Sequence, residues 1–325
     1  MNYRRLGRTG LKVSELALGS WTTYGGSVDD GVAIGIVRRA FELGINLFDT
    51  ADVYVRGAAE TVLGKALRDL PREQVVIATK VMGRVWDGPL GAGLSRKHIF
   101  DALDQSLRRL GTDYVDLYQL HHPDAETPID ETLRALDDVV RAGKARYIGC
   151  SNFHAYQVAR ALGRSEVLGV ARFDSVQPRY NLLFRQVERE LLPLCREEGI
   201  GVIPYNPLAG GFLSGKHRRE SGPTPGTRFT LGTAASRYQD RYWHEREFDT
   251  IEALRPLAAE AGMSLTRLAV AWVLADPAIT APIVGASRPD QLDDVLPAAE
   301  KPLDGGLKAR LDEITREYRW GDDPR

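Results

Sequence analysis

Cysteine is scarce in this chain: Cys150 and Cys195 are the only two among 325 residues, and their separation has no metal-ligand spacing. A disulfide framework is excluded, and a reducing compartment, the cytoplasm, is expected. Both thiols sit in apolar stretches, where an inert core role is the default. No run of about 18 apolar residues occurs, so no membrane span is expected. The basic N-terminus, Met1 to Lys12, is not followed by an apolar stretch of the kind a secretion signal needs. Neither sign of charge dominates, with 43 Lys and Arg against 44 Asp and Glu. That balance argues against a dedicated nucleic-acid surface or an acidic tail. Also missing is a Gly-x-Gly-x-x-Gly turn after the first strand, where the chain reads Gly19-Ser20-Trp21-Thr22.

What is present is a rhythm. Amphipathic helical stretches end at a glycine, and a short apolar strand follows. Ala33, Val37, Ala40 and Phe41 share a helical face that stops at Gly44, before Ile45–Phe48. Ile99, Leu103, Leu107 and Leu110 stop at Gly111, before Tyr114–Leu120. Ile129, Leu133, Leu136 and Val140 stop at Gly143, with Thr127 expected as N-cap and Pro128 at the first helical position. Glu188–Glu198 reads as a further helix, with Pro193 requiring a start near it or a kink. Glycine just past a helix takes the left-handed conformation cheaply.

Eight strands are expected, at Leu16–Gly19, Ile45–Phe48, Val75–Thr79, Tyr114–Leu120, Arg146–Gly149, Phe173–Gln177, Gly201–Tyr205 and Ala281–Val284. Alternation with helices implies a parallel sheet, and eight units favour a closed (β/α)8 TIM barrel over a doubly wound sheet. A short hairpin, Asn2–Leu6 with Lys12–Val13, precedes it. The whole chain, 1–325, reads as one domain. Asn206–Phe248 breaks the rhythm as a long loop after strand seven, expected to fold partly over a ligand; helices near Thr250–Ala261 and Leu265–Ala275 follow. The cluster Lys216-His217-Arg218-Arg219-Glu220 reads as a solvated stretch of that loop.

In a βα barrel, the C-terminal strand ends open on one face, where catalytic groups collect. Asp49, Lys80 and His121 follow strands two, three and four; Ser151 and Asn152 follow strand five. Gln177 and Tyr205 close strands six and seven, and Ser287 follows strand eight. Tyr54 lies five residues past Asp49. A phenol beside an ammonium has its pKa lowered toward that of a working general acid, and Asp49 is the anion that would keep Lys80 charged. His122 is expected on the opposite side of an extended strand from His121, and alternation alone does not choose between them. A metal cluster at His121-His122-Pro123-Asp124 lacks a third ligand by spacing. Gly210-Gly211-Phe212-Leu213-Ser214-Gly215-Lys216-His217 nearly matches a P-loop, but His217 stands where a Ser or Thr would hold magnesium. Such a stretch still suits a pyrophosphate, with Lys216 and Arg228 adding charge.

Four segments carry a resemblance: Gly44-Ile45-Asn46-Leu47-Phe48-Asp49-Thr50-Ala51-Asp52-Val53-Tyr54, Ala78-Thr79-Lys80, Asp116-Leu117-Tyr118-Gln119-Leu120-His121 and Ile148-Gly149-Cys150-Ser151-Asn152-Phe153. The chain resembles the aldo-keto reductase superfamily, in particular the branch of potassium-channel β subunits and related bacterial reductases. The resemblance runs from Tyr3 to about Leu296. It implies a catalytic tetrad of Asp49, Tyr54, Lys80 and His121, with Tyr54 as proton donor, and it selects His121 over His122. It implies NADPH extended across the barrel mouth, with Ser20 and Trp21 beside the nicotinamide. Ser151, Asn152 and Gln177 would hold the carboxamide, and Tyr205 would stack on the ring. Pro207, Leu208, Gly210, Leu213, Gly215 and Lys216 would line the pyrophosphate, and Gly285, Ser287, Gln291 and Asp294 would face the adenosine phosphate, with Arg288 placed for a 2′-phosphate.

Trp21, Tyr24, Tyr54, Trp86 and His121 are candidate substrate contacts, with Trp243 a further wall. Val55-Arg56-Gly57 stands where the family usually has Gly-x-Gly after the tyrosine, and Val295 where it has Asn. The expected activity is reversible reduction of small aldehydes, ketones or sugars. The alternatives are an NADPH-binding redox sensor and a Schiff-base lysine at Lys80. The expected partner is a small molecule, and homo-oligomerisation is left open.

Overall fold

The computed structural model describes residues 1–232 and 234–321. Two short antiparallel strands, β1 (Tyr3–Arg5) and β2 (Lys12–Ser14), form the expected hairpin. Eight parallel strands follow: β3 (Ala17–Gly19), β4 (Leu47–Asp49), β5 (Val76–Val81), β6 (Val115–Leu120), β7 (Ala145–Ser151), β8 (Ser175–Gln177), β9 (Gly201–Val202) and β10 (Ile283–Val284). They lie side by side in chain order, with β10 against β3. Parallel bridges Val202–Ile279 and Tyr205–Ile283 join the two ends. The sheet therefore closes into the expected (β/α)8 barrel.

Six of its helices are α1 (Asp30–Glu42), α2 (Ala58–Leu67), α3 (Arg96–Leu110), α4 (Ile129–Arg141), α5 (Ala155–Leu168) and α6 (Leu191–Glu198). Gly111 and Gly199, at the ends of α3 and α6, have φ of 67° and 64°. No side chain with a Cβ would take that conformation as cheaply. The helix α4 starts differently from expectation: Pro128 is the N-cap and Ile129 the first helical residue. Thr127 donates to Asp124 Oδ2 instead of capping α4, because that carboxylate lies at 2.7 Å. Pro193 falls in the first turn of α6, where its missing N–H costs nothing.

Alternation along each strand fixes what lies inside. Leu47 on β4, Val76 and Ala78 on β5, Leu117 on β6, and Ile203, Ala281 and Ile283 pack in one small core with Leu6 and Val13 of the hairpin. The hairpin thus closes the N-terminal end of the barrel. Two residues further along the same inward rows stand Asp49, Lys80 and Gln119, at the opposite end.

The segment 206–248 is more ordered than its sequence suggests. It contains a tight turn at Ala209–Ser214 and the helix α7 (Ala234–Tyr242), and it runs into α8 (Glu245–Glu260). The helix α9 (Leu265–Leu274) follows, then α10 (Gln291–Val295) and α11 (Gly305–Ile314). Among the described residues, no single helix is long and apolar enough to cross a membrane. His217 is not solvated as expected. Its ring is buried against Phe229 (4.7 Å between centroids), Trp243 (5.2 Å) and Phe212 (5.9 Å), and Nδ1 lies 3.1 Å from Thr224 Oγ1. This segment carries its own small aromatic core, and Trp243 belongs to it.

Candidate active site

Lys80 occupies the last inward position of β5 and is wholly buried. Its ammonium donates to Asp49 Oδ1 at 2.6 Å, to the Thr50 carbonyl oxygen at 2.8 Å and to the Tyr54 hydroxyl at 3.2 Å. The other Asp49 oxygen accepts from Gln177 Nε2 at 2.8 Å. A buried ion pair persists only when its remaining polar atoms are satisfied, and these bonds do that. The His121 ring sits 5.6 Å from the Tyr54 ring, edge to face, and Trp21 packs on the other side of Tyr54 at 4.7 Å. Four side chains from separate strands and loops thus meet at one end of the barrel.

Their electrostatics depart from expectation in one respect. The Tyr54 phenol is held well above its ordinary pKa, first by burial and then by the Asp49 charge. Lys80 does not acidify it as anticipated, because burial pushes the ammonium's own pKa down and Asp49 already takes up its charge. A phenol that keeps its proton is nonetheless suited to give one away. Burial and the neighbouring Lys80 charge hold His121 well below the usual imidazole range, so it is neutral at pH 7. Its Nδ1 is buried with no hydrogen-bond partner among the described residues. His122 does not lie on the opposite face: β6 ends at Leu120, the chain bends, and the two rings stack 5.2 Å apart at 13°. No group of three His, Cys, Asp or Glu side chains among the described residues could hold a metal ion.

Beside the tetrad runs a connected polar row. Ser151 Oγ donates to the Gln177 carbonyl oxygen at 2.7 Å, and Asn152 Nδ2 donates to the His121 carbonyl oxygen at 2.9 Å. The Tyr205 hydroxyl donates to Asn152 Oδ1 at 2.9 Å. Ser20 is buried and donates to Thr50 Oγ1 at 2.9 Å.

Pro207 and Leu208 lead into the Ala209–Ser214 turn, which holds Gly210 and Leu213 and ends at Gly215. A Cβ on Gly210 would lie 2.5 Å from the Tyr238 ring, so only glycine fits. Lys216 follows, its pKa lowered by burial and by the charges of Arg228 and Arg288. A Cβ on Gly285 would reach to 2.7 Å from Arg228 Nη2, so the chain leaves this cationic patch bare of side chain. Three cations with a backbone cradle suit a phosphate.

Other expected contacts are engaged elsewhere. Gln291 accepts from the Ser287 amide at 2.8 Å, and Asp294 accepts from Ser264, the N-cap of α9, at 2.8 Å. Tyr24 is buried in the barrel core, and Trp86 packs on His98 of α3 at 4.8 Å.

Two buried groups were missed from the sequence. Gln119 lies 3.5 Å from Asp49 Oδ2 through Nε2; its place two residues past inward-facing Leu117 was the available signal. Asp52 is buried, and neither carboxyl oxygen has a well-formed hydrogen bond among the described residues. Burial, then Glu60, push its pKa far up. Nearby, Glu60 accepts from Thr79 Oγ1 at 2.5 Å and from Arg109 Nε at 2.7 Å. Between Tyr54 and this network, Val55 and Arg56 take left-handed φ of 49° and 53°, in place of the family's glycine.

A barrel of this topology, with a lysine, a carboxylate, a phenol and an imidazole gathered at its C-terminal mouth, matches the aldo/keto reductase family model over residues 15–316. The chain belongs to that family. It is 39% identical over 305 residues to a probable voltage-gated potassium channel subunit beta of Arabidopsis thaliana, covering 92% of each chain. It is 39% identical over 324 residues to YrpG, an oxidoreductase of Bacillus subtilis, covering 97% of this chain and 96% of that one. It is 35% identical over 327 residues to the versiconal hemiacetal acetate reductase of Aspergillus parasiticus, covering 93% and 94%.

Proposed function

We propose that the chain is a cytoplasmic NADPH-dependent reductase of small aldehydes, ketones or sugars, able in reverse to oxidise the alcohol with NADP+, with Tyr54 as the proton donor. The observation that carries this reading is the buried Lys80 ammonium bonded at once to Asp49 and Tyr54. Lys80 fixes the phenol oxygen in place by donating a hydrogen bond to it. The raised phenol pKa keeps the proton on until a substrate oxygen accepts it. His121, neutral, offers an N–H to that same oxygen and polarises the carbonyl.

The chemistry supplied by bound NADPH is hydride donation to the carbonyl carbon, which with the Tyr54 proton gives the alcohol. Ser151, Asn152 and Gln177 would hold the carboxamide, and Tyr205 would provide the stacking face. The turn from Pro207 to Lys216 would cradle the pyrophosphate. Arg228 would add charge there, and Arg288 would meet the 2′-phosphate, the feature that favours NADPH over NADH. Two buried free thiols suit a reducing compartment.

The test is NADPH oxidation with a panel of small aldehydes. Tyr54→Phe is expected to lower kcat about 10²- to 10⁴-fold while NADPH binding persists. Full activity in that variant would remove Tyr54 from the role.

The relatives named as channel subunits favour a second reading, a regulatory subunit that binds NADPH and turns over slowly. Tight NADPH binding with kcat far below about 1 s⁻¹ on every aldehyde would select it.

A further inference from the structure

The turn that carries Tyr54 is strained. Val55 and Arg56 hold left-handed φ of 49° and 53°, and Gly57 follows at 90°. That conformation is unfavourable for a β-branched valine and persists only where the surroundings impose it. Val55 is 40% exposed, so burial of its own side chain is not what imposes it.

The restraint comes from just beyond the turn. Glu60, in the first turn of α2, is wholly buried, and its two oxygens bond to two other elements. Oε1 accepts from Thr79 Oγ1 of β5 at 2.5 Å, and Oε2 accepts from Arg109 Nε of α3 at 2.7 Å. Thr79 directly precedes Lys80, so the first bond ends one residue from the ammonium that holds the phenol. Arg109 lies against Gly57: a Cβ there would be 2.8 Å from Arg109 Cδ and Nε. Arg109 is itself fixed. Its Nη2 donates to Ser106 Oγ at 3.3 Å, and α2 meets α3 closely at Gly64, where a Cβ would lie 2.5 Å from the Leu110 carbonyl oxygen.

One carboxylate thus ties the strand bearing Lys80 to the arginine that backs the turn bearing Tyr54. A buried ion pair gains little net stability over well-packed apolar side chains, and its use lies in fixing the elements that supply it. The Lys80–Tyr54 contact is 3.2 Å, at the long limit for such a bond, so a small displacement breaks it. Resting on the reductase reading above, we propose that Glu60 and Arg109 are positioning residues for the reaction: through Thr79 and Gly57 they set the reach between Lys80 and the Tyr54 hydroxyl. A misplacement of about 1 Å at such a contact can cost about 10²-fold in rate.

The experiment measures kcat, KM and NADPH affinity in two variants. Glu60→Gln removes the charge and keeps the shape, and Thr79→Val removes one bond and leaves the ion pair. The expected kcat is about ten- to a hundredfold lower in Glu60→Gln and about threefold or more lower in Thr79→Val, with NADPH affinity within about twofold of the parent in both. Arg109→Lys, which keeps a cation beside Glu60, is expected to retain more kcat than Arg109→Leu. Each variant is then combined with Tyr54→Phe. Once the phenol is gone, Glu60→Gln is expected to cost less than about twofold more, because changes that remove one shared effect do not add. A crystal structure of Glu60→Gln is expected to show the Tyr54 hydroxyl farther from Lys80 Nζ than the parent's 3.2 Å. An unchanged kcat in Glu60→Gln, or equal losses with and without the Tyr54 hydroxyl, overturns the inference while aldehyde turnover by the parent upholds the reductase reading. Where the Tyr54→Phe rate is too low to divide further, the crystallographic distance decides, and an unmoved phenol overturns the inference. Should Glu60→Gln fail to fold, Thr79→Val decides by the same comparisons. No turnover of any aldehyde by the parent sinks the reductase reading and this inference with it.

Discussion

Lys80, Asp49 and Tyr54 show how far single residues can be read without coordinates. An acid, a lysine and a histidine at successive strand ends were visible because the barrel pattern sends all those ends to one face. What alternation could not supply was the energetic balance between them. Whether Lys80 lowers the Tyr54 pKa or burial raises it depends on how much water reaches the phenol, and here burial wins. Asp52 escaped notice for a related reason: a carboxylate inside a loop motif reads as solvated, and only packing reveals it as buried. Its pKa is raised on folding, so the folded state holds the proton to higher pH than the unfolded one. Stability from this group is then greatest in acid and is lost as pH rises. Asp52→Asn removes that loss. The melting temperature of the variant relative to the parent is expected to climb as pH rises above the ordinary carboxylate range, and a constant difference would contradict the assignment.

At the level of elements, helices with wide apolar stripes and a closing glycine were legible, and α1, α3, α4 and α6 appear where the rhythm placed them. The helix α7 was not. It is polar, its three buried positions are Ala234, Tyr238 and Tyr242, and two of those are aromatics easily taken for loop residues. Spacing of four was the signal. The same holds for His217, whose basic neighbours disguised a position inside an aromatic cluster. Burial and the adjacent Lys216 charge push its pKa down to about 4. A histidine depressed in this way binds its proton more readily when unfolded, so stability declines as pH falls from about 6.5 toward 4. The loss amounts to at most about 3.5 kcal/mol, since each pKa unit is worth about 1.4 kcal/mol. His217→Phe keeps the ring and removes the titration. Its thermal stability is expected to hold between about pH 7 and pH 5, where the parent's falls, as followed by calorimetry. Parallel acid sensitivity in both proteins would assign the effect elsewhere.

Across the whole molecule, the eightfold repeat was the most secure reading, because strand count and alternation depend on many residues at once. The segment 206–248 was the least secure, since its order comes from contacts among distant aromatics and from Arg219 pairing with Glu245 and Asp249. It packs as a small unit over one side of the mouth. NADPH is expected to slow proteolysis within this segment and to raise the melting temperature, by about 2.7 kcal/mol of stabilisation at one hundred times the dissociation constant. Cutting at the same rate with and without NADPH would show that the segment does not clasp the cofactor.

The hairpin under the barrel has a consequence for traffic. With Leu6 and Val13 stoppering the base, the molecule is a cup and not a tube. Whatever approaches Lys80 therefore comes and goes by the one open end, a restriction imposed by the twelve residues from Tyr3 to Ser14 at the far end from the chemistry.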